Sequence, residues 1–235
     1  MRKILPVLAA AAGGYFYAKY RSGRSGLHPL TRAKEGQRKV ACVGDSITYG
    51  HGTTFWPDHT YPTQLQKLLG KGYHVSNFGF NGKTVTSNSA DAYVATKLFT
   101  QSTQYNADIL VFMMGTNDTK PRNWHSEEAF RTDFKKLLDC YPYAKVVLCT
   151  PATAFYKEGV SGDLAEYEIQ PKLVDRVADI VRQEAAQRGC ALVDIHALMA
   201  DKPHWYIPDR IHPNNSGALI IAQAVAEGIH RSEQL

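Results

Sequence analysis

Residues 109–114, Ile-Leu-Val-Phe-Met-Met, form an unbroken apolar run that neither alternates nor follows a helical period. Asp108 closes it on one side and Gly115-Thr116-Asn117-Asp118 on the other. A strand of that kind is covered on both faces, as in a parallel sheet with helices above and below. Four further apolar runs, at 39–43, 73–78, 145–149 and 191–195, have the length of strands. Between them lie segments with helical spacing. Leu65, Leu68 and Leu69 mark 61–69, and a helix is predicted over 91–100. Phe130, Phe134, Leu137 and Leu138 follow an N-cap at Ser126, and Leu173, Val177, Ile180 and Val181 follow Pro171. A last helix from about 216 turns Leu219, Ile220, Ala222, Val225 and Ile229 inward.

Strand and helix alternate without an internal repeat, which predicts a flavodoxin-like, three-layer α/β/α fold with a five-stranded parallel sheet. Ligands of such sheets bind beyond the carboxyl ends of the strands. That rule gathers Ser46, residues 79–82, Asn117 and the loop 151–170 at one edge.

A chain of 235 residues, 44% of them hydrophobic, can bury one sizeable core. Its net charge of +5 does not indicate a nucleic-acid partner, because residues 1–39 hold nine Lys/Arg against Glu35 alone. The remainder carries 18 basic and 21 acidic residues, a net of −3, with no electrostatic footprint for a polyanion. The four cysteines, at 42, 140, 149 and 190, show neither a CxxC nor histidines at ligand spacing. Cys42, Cys149 and Cys190 fall in or beside apolar runs and read as buried free thiols rather than a disulfide frame or a zinc site.

The N-terminus divides from the rest. Arg2 and Lys3 precede an apolar run from Ile4 to Ala18, and Lys19, Arg21 and Arg24 follow. Residues 1–20 read as a signal peptide or uncleaved membrane anchor, 21–38 as a linker and 39–235 as the folded domain. This places the protein at a membrane or outside the cell, with a cytoplasmic protein bearing an apolar arm as the alternative.

Three short stretches carry chemistry. Gly44-Asp45-Ser46 puts a serine at a strand-to-helix turn, where helix N–H groups can activate it. Alone, a serine or aspartate after a strand is most often just an N-cap. Asp209-Arg210-Ile211-His212 sets a carboxylate three residues before a histidine on a loop. The carboxylate can hold one imidazole nitrogen and leave the other to take a proton from a serine. Asn117 alone is a turn residue after a strand. Of the other histidines, His51 and His204 are candidate pocket contacts.

Taken together, Gly44-Asp45-Ser46, Gly82, Gly115-Thr116-Asn117-Asp118 and Asp209-Arg210-Ile211-His212 resemble the four sequence blocks of the SGNH (GDSL-type) hydrolases, in that family's order. The resemblance spans residues 40 to about 230. It implies Ser46 as nucleophile, His212 as general base and Asp209 as its orienting carboxylate. It further implies an oxyanion hole made by the Ser46 N–H, the Gly82 N–H and the Asn117 side-chain amide. No metal or organic cofactor is then needed.

The expected activity is that of a serine esterase removing a small acyl group, acetyl first, from a carbohydrate. Trp56, Trp124, Trp205 and Tyr206 are candidate sugar contacts, read alternatively as loop residues packing on the core. A thioesterase or lysophospholipase acting on lipid acyl esters is the alternative activity, and a binding protein that has lost turnover is a third reading. Gly82-Lys83-Thr84 also looks like the end of a phosphate-binding loop, but that motif needs a glycine where Asn77 stands.

Overall fold

The computed structural model describes residues 30–156 and 165–234. The predicted signal peptide or anchor over 1–20 lies outside the described residues, as do linker residues 21–29. The rest of the predicted linker is laid along the sheet edge. Thr31 Oγ1 meets His74 Nε2 at 2.8 Å, and Gln37 Nε2 donates to the carbonyls of Lys71 and Tyr73 at 2.9 and 3.2 Å.

Five strands, β1 (Arg38–Gly44), β2 (Tyr73–Gly79), β3 (Ile109–Met113), β4 (Lys145–Cys149) and β5 (Ala191–Val193), form one all-parallel sheet in the order β2-β1-β3-β4-β5. The side chains of β1 alternate between two cores. Val40 and Cys42 join one with Val111, Val147, Leu65, Ile221 and Val225, beneath the helices α2 (Tyr61–Leu69) and α7 (Asn215–Gln234). Ala41 and Val43 join the other with Leu110, Phe112, Phe130, Phe134 and Val177. That second layer contains α3 (Lys97–Gln104), α4 (Glu127–Asp139) and α5 (Pro171–Arg188). A two-residue period with both faces buried is the physical reason these strands read as continuous apolar runs.

Register defines the working edge. Gly44 pairs with Gly79 on one side and Met113 on the other, so the three central strands stop at one level. The strand order reverses direction at β1, between β2 and β3, and such a switch point opens a crevice at the carboxyl edge. A short helix, α1 (Ser46–Tyr49), starts there directly from β1.

Three sequence expectations shift. The helix predicted over 91–100 is interrupted. Thr84 exchanges backbone hydrogen bonds with Asp91 and Tyr93, a 3₁₀ turn covers 93–95, and Thr96 then caps α3 through the Phe99 N–H. The fifth strand stops at Val193, because the Asp194 carboxylate accepts from the Ala197 N–H and opens α6 (Ile195–Met199). In α7 the buried stripe is Ala218, Ile221, Ala222, Val225 and Ile229, whereas Leu219 is exposed and Ile220 half-buried. Leu219 lies one position off that ladder of three- and four-residue steps. All four cysteines are free, with Cys42 and Cys149 buried, Cys190 half-buried and Cys140 exposed.

Candidate active site

The turn from β1 to α1 allows very little space. A Cβ at Gly44 would stand 1.9 Å from Thr48 Oγ1 and 2.7 Å from the Met113 carbonyl oxygen, so only glycine lets α1 start here. The capping role falls to Asp45, whose Oδ1 accepts the Ile47 N–H at 3.0 Å. Ser46 is thereby freed from capping, and its hydroxyl lies 2.8 Å from His212 Nε2.

His212 is held from its other side. Asp209 Oδ2 stands 2.6 Å from His212 Nδ1, and Asp209 Oδ1 accepts the backbone N–H groups of Ile211 and His212, each at 2.9 Å. An ionised carboxylate only accepts, so Nδ1 carries the ring hydrogen and Nε2 is left to accept the Ser46 O–H. Burial pushes the Asp209 pKa up, but the bonds and charge of His212 and the two backbone donors outweigh it and keep the carboxyl below its ordinary value. Asp45 is the opposite case. Burial dominates over its Ile47 bond and lifts its pKa to about 6.

Ser46 and His212 line a cleft of about 160 Å³ with His51, Asn81, Gly82, Thr116, Asn117, Lys120, Tyr167, Ile169 and Ile211. Gly82 turns there in the left-handed region, at φ +75°, where a side chain is strained even though the space beyond it is open. Asn117 Nδ2 donates to the Lys83 carbonyl at 3.2 Å, and Asn123 Nδ2 donates to the Asn117 carbonyl at 2.9 Å. An amide offers two hydrogens, and among the described residues only one Asn117 bond of this kind is formed. Donors on the Gly82 and Asn117 walls and a serine–imidazole–carboxylate chain thus meet in one cleft. Such a set can take a proton from a hydroxyl and hold a developing oxyanion.

The structure brings together Ser46, His212, Asp209, Gly82 and Asn117. It separates the four aromatic candidates from them, since none lines the cleft. Trp56 is buried, donating its Nε1–H to the Tyr49 carbonyl at 2.9 Å and stacking on the Tyr49 ring. Trp124 packs on Phe130, Trp205 lies against the core, and buried Tyr206 meets Phe155 edge-on. Each serves the alternative role of core packing. Tyr167, unforeseen in sequence, stands edge-on to His212 with ring centroids 5.7 Å apart. His51, one of the two histidines expected near the pocket, lies against the His212 ring with centroids 4.2 Å apart, whereas His204 meets Trp205 edge-on, away from the cleft.

His51, Asp209 and His212 offer one ligand atom each within 4.8 Å of one another. A metal ion taken up there would occupy the imidazole that reaches Ser46 and the carboxylate that holds it, so it would block a serine mechanism rather than serve one.

Residues 42–220 match the GDSL-like Lipase/Acylhydrolase family. An acetylxylan esterase of Xylanibacter ruminicola is 31% identical over 225 residues, a match covering 86% of this chain and 45% of that relative, so the chain spans about half the relative's length. Among solved structures, a carbohydrate acetylesterase family member from Sinorhizobium meliloti superimposes with a TM-score of 0.71 at 20% identity, over 85% of this chain and 100% of that one. The aryl esterase of M. smegmatis does so with a TM-score of 0.68 at 18% identity, over 83% of this chain and 99% of that one. At these identities the likeness is one of fold.

Proposed function

The chain belongs to the GDSL-like lipase/acylhydrolase (SGNH) family, and we propose that it is a serine esterase that removes small acyl groups, acetyl first, from a carbohydrate. One observation carries the chemistry: the buried chain from Ser46 Oγ through His212 to Asp209, with links of 2.8 and 2.6 Å. In this reading Ser46 Oγ attacks the ester carbonyl carbon while its proton passes to His212 Nε2. The carbonyl electron pair moves onto oxygen, where the N–H groups of Ser46 and Gly82 and the Asn117 amide receive the charge. Collapse breaks the bond to the sugar oxygen, which leaves with the proton from His212. Water, deprotonated by the same imidazole, then releases the acyl group from the serine.

The acetyl preference draws support from the cleft. Its volume of about 160 Å³ falls below the ~300–1,000 Å³ typical of pockets that enclose drug-sized ligands. The carbohydrate half draws support from the activity named for the Xylanibacter ruminicola relative. Residues 1–20 are proposed, on their sequence alone, to deliver the enzyme to the membrane or the cell exterior.

The test is hydrolysis of p-nitrophenyl acetate beside its long-chain homologues, together with fluorophosphonate labelling. The reading expects cleavage of the acetyl ester in preference to the long-chain ones, and a label on Ser46 that is absent from Ser46→Ala. Preference for long acyl chains would favour a lipid substrate, and undiminished turnover by Ser46→Ala would overturn the nucleophile.

A further inference from the structure

Lys120 lines the cleft from the turn that follows Asn117, and only 7% of its surface is exposed. Lysine side chains packed to this extent are ordinarily paired, because a charge that has lost part of its water and lacks a partner is costly. Among the described residues, the Lys120 side chain makes no ion pair. The cation that acts on it is committed elsewhere: Arg122 pairs with Asp91 and Glu168 at 3.2 and 2.9 Å.

The acidic groups that act on Lys120 are Asp45, Asp91 and Glu168. None of them lines the cleft. Asp45 is buried and capping α1, and the other two are engaged by Arg122. Burial, reinforced by Arg122, holds the Lys120 pKa below its ordinary value, as expected of an ammonium short of counter-charge. The described cleft lining contains no carboxylate at all, so the charge it lacks is one that a ligand could bring.

We propose that Lys120 forms a subsite for a carboxylate on the substrate, so that the ester cleaved is carried by an acidic sugar. The inference rests on the esterase reading above and narrows its substrate class. Lys120 and Ser46 share one small cleft, so a single sugar ring can present its carboxylate to the ammonium and its acyl group to the serine. The carboxylate would form a charge-assisted hydrogen bond with Nζ.

The experiment compares wild type, Lys120→Met and Lys120→Arg on two substrates of matched length, an O-acetylated oligogalacturonide and an O-acetylated xylo-oligosaccharide. Wild type is expected to favour the acidic substrate. Lys120→Met should lower the acidic-to-neutral ratio of kcat/KM by about tenfold or more, chiefly through KM, with Lys120→Arg recovering part of it. An unchanged ratio, or an equal loss on both substrates, overturns the subsite; the equal loss would mean that Lys120 serves the reaction itself. Wild type that cleaves p-nitrophenyl acetate yet shows no acidic preference overturns this inference alone. Wild type inactive on every ester overturns the proposed function and this inference with it.

Discussion

Asp118 holds Thr86 twice through one carboxylate oxygen, accepting the backbone N–H at 2.8 Å and the side-chain hydroxyl at 2.7 Å. Its second oxygen accepts the Val85 N–H at 3.0 Å. Asp118 follows β3, whereas Val85 and Thr86 follow the loop that leaves β2. One fully buried carboxylate therefore ties the strand-end turn bearing Asn117 to the loop bearing Gly82. The spacing of the two oxyanion candidates depends on this link rather than on either loop by itself.

Asp118→Ala leaves all three donors without an acceptor, at ~1–3 kcal/mol for each buried group. Urea denaturation should report a loss of about 3 kcal/mol or more. The rate on p-nitrophenyl acetate should fall as well, because Gly82 and Asn117 lose their common anchor. Asp118→Asn, which retains one acceptor oxygen, should lose less of both.

Stability should depend on pH through the same carboxylate. Burial lifts Asp118 from 3.8 to about 6, and Asp45 likewise. Between these values the unfolded chain has given up protons that the folded chain keeps, so their contribution is fully present below about pH 4 and is lost as pH rises through 6. Asp209, depressed by His212, acts with the opposite sign, and its contribution is lost as pH falls through its folded value. Urea midpoints measured from pH 4 to 7 should show a declining component that Asp118→Asn flattens.

The Ser46–His212 contact predicts non-additive losses. Ser46→Ala and His212→Ala should each lower kcat by roughly 10⁴–10⁶-fold, and the double variant should be little worse than either, because the pair acts as one unit. Steady-state kinetics on p-nitrophenyl acetate measures all three. Multiplying losses in the double variant would mean that the two side chains act independently.

Zinc should inhibit. Capture of Zn²⁺ by His51, Asp209 and His212 removes the imidazole that faces Ser46. Inhibition should be relieved by chelator and should weaken by roughly 10-fold or more in His51→Gln, on the scale seen when metal-site partners are removed. Equal zinc sensitivity in that variant would rule His51 out as a ligand.

Much of this arrangement was legible in the residues before any fold was known. The unbroken run 109–114 and the helical spacing around it express local burial and period, which each segment carries by itself. The parallel sheet and its working edge follow from them. What lies at a strand's end is local too, so Ser46 after β1 and Asn117 after β3 could be located in advance.

Other features depend on where the chain folds back. Whether Trp56 or Trp205 faces a cleft or the core is decided by distant segments, and both went to the core. Leu219 looked inward by composition but falls off the ladder that the body of α7 buries. Lys120 reads in sequence as one more polar residue after a turn. Only packing buries its side chain along a cleft whose described lining carries no carboxylate.

The Ser46 turn shows both kinds of determination. Sequence alone placed a serine where a strand becomes a helix, and left open whether it caps or reacts. Tertiary structure gave the cap to Asp45 and set His212, 166 residues onward, at 2.8 Å from the freed hydroxyl. Local pattern can specify which groups stand at a strand end. Only the closed sheet, by fixing distances between remote loops, decides which of them touch.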